Sequence, residues 1–405
     1  MKSFDVPQQF RSSFISAIKN KRKQADKLKK DFTPTTLELG DLSISLARHF
    51  GFCYGVENAI EIAFKAVDEN PNKRIYLLSE MIHNPGVNAD LIQAGVEFIM
   101  DTKGKQLIPW DQIHADDIVI IPAFGTTVEI EQLLKEKGIE PTRYETTCPF
   151  VEKVWNRAEK IGLEGYTIVV HGKPQHEETR ATFSQSKEHA PTLVINDMNE
   201  AITLAAYIKE EIDSATFYEQ FKGQYNATFD PKRDLKRIGV VNQTTMLASD
   251  TQAIAEYLKQ VMKAHYQLDD QSIANHFADT RDTLCYATND NQSAVQTMLE
   301  TKADAAIIIG GYNSSNTSHL VELCETKIPT YYIKDELCLL DNFEIEHFNF
   351  HTKELLHGTL APTAKKILIS AGASCPDAVV ERVIERLCHL HQEKQSWEAL
   401  KSNWI

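Results

Sequence analysis

"HFGFCYGVENAIEIAFKAV", residues 49–67, sets one cysteine on a glycine turn and runs straight into a helical pattern. Val56, Ala59, Ile60, Ala63, Phe64 and Val67 recur at the spacing of one helix face, and Glu57, Glu61 and Lys65 fall on the other. A packing cysteine sits inside a strand or helix, whereas Cys53 is presented at a helix start. The arrangement occurs twice more. In "YETTCPFVEKVWNRAEKIG" (144–162), Cys148 precedes Pro149, which suits a first helical turn, and the stripe Val151, Val154, Trp155, Ala158 and Ile161. In "DTLCYATNDNQSAVQTMLE" (282–300), Cys285 precedes polar capping residues and the stripe Ala294, Val295, Met298 and Leu299. Of the other cysteines, Cys324 and Cys388 lie within helical patterns, and they and Cys375 read as buried packing residues.

Short apolar runs that end in polar loops accompany these cysteines. They are "IYLLSEMIHNPGV" (75–87), "IVIIPAFGTTVE" (118–129), "TIVVHGKPQHEET" (167–179), "IGVVNQTTM" (238–246), "AAIIIGGYNSSNTSHL" (305–320) and "ILISAGASCPD" (367–377). Each predicts a buried parallel strand followed by a helix start. Six strand ends for three cysteines predict three similar α/β units about a pseudo-threefold axis. Ligands bind at the carboxyl ends of such strands, so the polar loops and thiols are expected to face a common centre. The expected division is an N-terminal arm (1–41), α/β domains at 42–148, 149–284 and 285–390, and a C-terminal tail (391–405). A peripheral helical insertion is expected near 206–236.

The 405 residues, 42% hydrophobic and 25% charged, are those of an ordinary globular protein of two or three domains. No apolar run is long enough for a membrane span, and the N-terminus lacks the apolar stretch of a secretory signal. The basic run "KNKRKQADKLKK" (19–30) is expected to be a solvated arm, Asp5 and Asp26 weighing against a transit peptide. A net charge of −14 argues against nucleic acid as a partner but leaves room for a small phosphorylated ligand in a pocket with its own donors. Seven widely spaced cysteines without a CxxC pair point to a reducing compartment and no disulfide framework. The expectation is a monomer in the bacterial cytosol, rather than in a plastid stroma, with no membrane partner.

Soft thiolates select zinc, copper(I) or iron–sulfur clusters, and structural zinc takes four ligands at local spacing. Three cysteines about a domain apart do not fit zinc; a four-iron cubane on three thiolates does, with one iron open to substrate. On this reading the glycines beside Cys53 let a bulky cluster approach the backbone, and helix N–H groups offset its charge. Three unrelated buried cysteines are the competing reading. In "HGKPQHEETRATFSQ" (171–185), His171, His176, Glu177 and Glu178 combine histidines with carboxyl groups able to deliver protons, unless the loop is merely solvated. Gln243, Thr244 and Thr245, the stretch Asn313, Ser314, Ser315, Asn316 and Thr317, and Ser374 are neutral donors suited to a diphosphate; helix capping is the plainer reading of "NSSN". Together they predict a cluster enzyme acting on a small phosphorylated substrate.

The motifs "GFCYGVENAI", "EMIHNPGV", "TTCPFV", "HEETRAT", "NQTT", "CYATNDNQ", "YNSSNTSHL" and "AGASCPD" resemble, in order and spacing over about residues 42–390, the 4-hydroxy-3-methylbut-2-enyl diphosphate reductase (LytB) family. The longer cyanobacterial and plastid form is the more similar one. The resemblance implies a trefoil of three α/β domains around a central [4Fe–4S] cluster bound by Cys53, Cys148 and Cys285. It implies substrate contacts from His83, His176, Thr244, Ser314, Ser315, Asn316 and Ser374, with Glu178 as proton donor. The implied reaction is reductive dehydroxylation to isopentenyl and dimethylallyl diphosphate, with two single electrons from ferredoxin or flavodoxin. Glu177 stands where the short bacterial form has proline. Phe124 stands where that form has a histidine, so packing is expected there, with Thr126 or Thr127 as substitute donors. An aconitase-like hydro-lyase and a non-catalytic iron–sulfur phospholigand binder are the alternatives.

Overall fold

The computed structural model describes residues 4–140, 142–278 and 283–404. The start of the expected arm, the last residue of the expected tail, and small parts of the first two expected domains lie outside the described residues. The chain forms two compact units, Met1–Glu61 with Ile82–Asp90 and Tyr286–Ile405, and Ile62–Met81 with Leu91–Cys285.

Its strands are β1 (Thr35–Leu39), β2 (Leu42–Leu46), β3 (Ile75–Leu77), β4 (Val96–Phe98), β5 (Ile118–Ile120), β6 (Thr167–His171), β7 (Thr192–Ile195), β8 (Ile238–Asn242), β9 (Ala305–Ile309), β10 (Thr330–Ile333), β11 (Glu344–Asn349), β12 (Glu354–Thr359) and β13 (Lys366–Ala371). The first unit holds a sheet of order β1-β2-β13-β9-β10 and the hairpin β11-β12. The second holds two parallel three-stranded sheets, β4-β3-β5 and β7-β6-β8. All six strands expected from the apolar runs are present. They pair two by two, in parallel: β3 with β5, β6 with β8, and β9 with β13. The remaining strands flank these pairs or form the β11-β12 hairpin, where short or half-exposed runs leave a weaker signal.

The arm is not solvated, contrary to expectation. Ser12 caps the helix Ser13–Ala25 by accepting the Ile15 N–H at 2.9 Å. Phe14, Ile15 and Ile18 on one face of that helix are buried in the core of the first unit. The lysines occupy its outer face, so the charge run marks an amphipathic helix rather than a free segment. After it, β1 pairs antiparallel with β2 across Gly40–Asp41, with Leu39 opposite Leu42 and Gly40 at a φ of +63°. The tail is likewise packed: Trp397 of the helix Lys394–Trp404 is buried and meets Phe14 edge-on at 4.8 Å. β2, expected at the head of the first domain, pairs with β13. The segment near 206–236 consists of short helical turns, and it is less peripheral than expected, since Phe217, Phe221 and Phe229 enter the core that contains Val169 and Val240.

Candidate functional site

In the first unit, β9 ends at Ile309 and the chain turns through Gly310 and Gly311 into the helix Ser315–Glu325. A Cβ on Gly311 would lie 2.3 Å from the carbonyl oxygen of His83, so glycine lets this turn close on the His83 loop. Ser314 is the cap: its Oγ accepts the Thr317 N–H at 3.2 Å. Capping therefore accounts for Ser314 but not for its neighbours. Ser315 Oγ and Asn316 Nδ2 are buried and have no hydrogen-bond partner among the described residues. Asn316 is held in orientation because its Oδ1 accepts the Ala373 N–H at 2.9 Å, in the turn that follows β13. In the same turn Ser374 donates its hydroxyl to the His83 carbonyl at 3.0 Å. His83, Ser314, Ser315, Asn316 and Ser374 are all buried. The structure thus gathers five of the seven expected substrate contacts around one helix N-terminus, where N–H groups favour an anion.

Cys53 follows Gly51 in this unit, and its carbonyl accepts the Glu57 N–H as the helix Tyr54–Glu69 begins. Gly51 has a φ of +78°, and a Cβ there would lie 2.6 Å from Asp377 Oδ1. The positive φ two residues before Cys53 therefore favours glycine there, a reason the sequence reading did not supply. The helix Tyr286–Met298 also carries a feature missed there: Thr288, Asn291 and Gln292 are buried polar residues, and Asn291 Nδ2 has no hydrogen-bond partner among the described residues. Their spacing of three and four, legible in "TNDNQ", marks a polar inner face.

In the second unit, Cys148 stands at the N-cap position of the helix Pro149–Leu163 without a side-chain capping bond, and its N–H donates to the Ala123 carbonyl at 3.0 Å. Burial pushes its thiol up to about 12; Phe150 and Val151 N–H groups oppose this, and nearby Cys285 and Glu178 reinforce it. Without a cation such a group stays a thiol. Glu178 is fully buried in the first turn of the helix Glu177–Lys187 and accepts the Thr244 N–H. His176 caps the same helix, its Nδ1 accepting the Glu178 N–H at 3.2 Å, which leaves Nε2 to carry the proton of the neutral ring. Gln243 Oε1 accepts from Lys173 N–H at 3.1 Å and Thr179 Oγ1 at 3.0 Å, tying the end of β8 to that of β6. Cys148, Cys285, His176, Glu178 and Thr244 all belong to this unit.

Other candidates take structural positions. His171 is buried and bonded to Thr251 at 2.9 Å. Glu177 accepts from Ser79, Thr127 caps the helix Val128–Glu136, and Phe124 packs edge-on against His176 at 5.6 Å, as expected of packing there. Cys324, Cys338, Cys375 and Cys388 are buried, whereas Cys53, Cys148 and Cys285 alone are half-exposed. Among the described residues no three His, Cys, Asp or Glu side chains are grouped to hold a metal ion. No helix among them is long and apolar enough to cross a membrane.

Known proteins resemble this chain over most of its length. A Synechococcus protein named 4-hydroxy-3-methylbut-2-enyl diphosphate reductase is 40% identical over 358 residues, 88% of this chain and 87% of its own. A protein of the same name from Gloeothece citriformis is 38% identical over 94% of this chain and 89% of its own. The solved structure of the E-1-hydroxy-2-methyl-but-2-enyl-4-diphosphate reductase from Plasmodium falciparum shares the fold at a TM-score of 0.61 and 21% identity, covering 86% of this chain and 89% of that one. A second solved structure, titled as (E)-4-hydroxy-3-methyl-but-2-enyl diphosphate reductase, aligns at a TM-score of 0.51 and 24% identity, over 85% and 99% of the two chains. The family model described as LytB protein matches residues 44–388, and the chain belongs to that family.

Proposed function

We propose that this chain is a 4-hydroxy-3-methylbut-2-enyl diphosphate reductase that removes the allylic hydroxyl and releases isopentenyl and dimethylallyl diphosphate. Two electrons and two protons enter, the C–O bond breaks, a C–H bond forms, and water leaves. The observation that carries the reading is the pair of buried, unpartnered groups, Ser315 Oγ and Asn316 Nδ2, at a helix N-terminus. Leaving them unpaired costs about 1–3 kcal/mol each, which a bound diphosphate recovers. His83, Ser314 and Ser374 complete the anchor, and His176 and Thr244 contribute further contacts. The anchor fixes the allylic end of the substrate, so binding energy from the diphosphate goes into orientation.

Cys53, Cys148 and Cys285 would hold a [4Fe–4S] cluster. The donor set fits. These are the three half-exposed cysteines, each precedes a helix, and Phe150 and Val151 N–H groups point at the Cys148 sulfur. When bound, the cluster supplies single electrons and a Lewis-acidic iron. Glu178 holds the proton that the departing hydroxyl needs, in a buried position fixed by the Thr244 N–H. Because an alcohol leaves poorly at neutral pH, that proton is required as the C–O bond opens. The electrons come one at a time from an external carrier, ferredoxin or flavodoxin. The protein works as a monomer in the cytoplasm. The parallel pairs β3 with β5, β6 with β8 and β9 with β13, one in each range, support the three-domain division at 42–148, 149–284 and 285–390.

Anaerobic purification with iron and acid-labile sulfide analysis tests this. About four of each per chain are expected. Cys53→Ser, Cys148→Ser and Cys285→Ser should each lose iron, and Cys388→Ser should not. Zinc alone, or no metal after reconstitution, overturns the cluster reading. Turnover that needs no reductant would favour a hydro-lyase instead.

A further inference from the structure

The basic run at 19–30 has no part in this chemistry. Within the first unit it borders a cleft of about 250 Å³ whose walls include Lys19, Lys23, Lys29, Arg48, His49 and Cys53. Lys19 is matched by Asp377 at 2.6 Å. Arg48 is different: it is only 7% exposed, and its Nε has no hydrogen-bond partner among the described residues. His49 Nε2 is also buried without a hydrogen-bond partner among them. Burial, then Arg48, hold that imidazole down to about 4, so it is neutral at working pH. Glu57 and Asp290 in the walls offset part of the positive charge. Beyond the cleft, Lys21, Lys27 and Lys30 are exposed on the same segment, in a chain whose net charge is −14. Two apolar side chains lie among these cations: Leu28 is 76% exposed and Tyr286 38%, with Lys29 Nζ 5.3 Å from the Tyr286 ring.

We propose that this face docks an acidic one-electron carrier protein, whose carboxylates pair with the arm lysines while one acidic side chain enters the cleft toward Arg48. The inference rests on the reductase reading above. An apolar centre in a cationic rim is the anatomy of a protein interface with an acidic partner. A ligand small enough for the cleft would leave the outer lysines and Leu28 unused. Cys53 in the cleft wall would bring the carrier close to the group that accepts its electron. Each encounter oxidises the carrier by one electron, and two encounters complete a turnover.

The test uses the iron-loaded full chain with two reductants. One is a plant-type [2Fe–2S] ferredoxin kept reduced by NADPH and its reductase. The other is reduced methyl viologen, a small cation that gains nothing from a basic surface. Lys23→Glu with Lys29→Glu should raise the KM for ferredoxin by about tenfold or more and weaken its salt dependence. Viologen-driven kcat should stay within about twofold. Lys232→Glu with Lys236→Glu, the same charge change in the second unit, should leave both within about twofold. Ferredoxin kinetics alike in the two double variants overturn the docking proposal. So does a calorimetric result in which inorganic diphosphate loses a binding site in the first double variant while ferredoxin affinity is unchanged, which would make the cleft a small-anion site. Absence of wild-type turnover with either reductant overturns the reductase reading instead. If the first variant misfolds, ferredoxin affinity of Lys23→Gln with Lys29→Gln decides: a loss of about threefold or more supports docking, and no change refutes it.

Discussion

Replacing Ser315 by alanine should strengthen the fold while weakening the hold on diphosphate. Ser315 is 3% exposed and its Oγ has no hydrogen-bond partner among the described residues, so the unliganded protein carries the cost of a desolvated hydroxyl. That cost is about 1–3 kcal/mol. Alanine removes it and is the better helix former at this first helical position, while losing the contacts of one small atom. A net gain of about 1 kcal/mol follows, or about 2–4 °C in the thermal midpoint of a unit this size. With ligand the sign reverses. A hydrogen bond to a charged group contributes about 1.5–3 kcal/mol, so the dissociation constant should rise about 10- to 150-fold. Thermal unfolding of the metal-free chain reads the first effect. Calorimetry with inorganic diphosphate and the KM for substrate read the second. A lowered midpoint with unchanged affinity would show that the hydroxyl is structural and would refute the anchor.

Glu178→Gln should retain iron and diphosphate affinity and lose about 10²- to 10⁴-fold in kcat, measured with a viologen reductant; unchanged turnover would remove Glu178 from proton delivery. Phe14→Ala should cost about 3–5 kcal/mol by urea unfolding, since Phe14 is fully buried against Trp397; a loss under about 1 kcal/mol would mean the arm is not part of the core. Alkaline stability should also fall. Burial pushes the Cys324 and Cys388 thiols up to about 12. Their contribution is full below the unfolded thiol value of about 8.5 and is lost as pH rises toward the folded value. A urea midpoint that stays flat from about pH 8 to about pH 11 would contradict this.

How much of this was legible depended on the kind of signal. The six runs such as "TIVVHG" and "AAIIIGG" are apolar throughout because parallel strands are buried on both faces, so their burial is written in composition. Cys53, Cys148 and Cys285 each stand ahead of a helical stripe, but Cys375 stands ahead of the helix Asp377–Leu390 in the same way, and it is exposure in the structure that sets the three apart from the other four. The arm was misread because a charge run masked an inner face of only Phe14, Ile15 and Ile18, and the "ELGDLS" turn that joins β1 to β2 went unused. Phe217, Phe221 and Phe229 lay in a segment too irregular to show periodicity, yet aromatic side chains that frequent seldom stay in solvent.

The sequence by itself determined the α/β class, the six core strands and the residue types available to the chemistry, since hydrophobic period and turn chemistry are local properties. Only the tertiary structure decided which polar groups remain unspent. Ser314, Ser315 and Asn316 look alike as a string. Folding gives Ser314 a helix to cap and turns Asn316 by the Ala373 N–H, leaving Ser315 Oγ and Asn316 Nδ2 unpaired. It likewise placed Lys19, Lys23 and Lys29 of the basic run in one cleft with Arg48 and Cys53. Hydrogen-bond satisfaction and charge environment depend on residues far apart in the chain, and no local pattern encodes them.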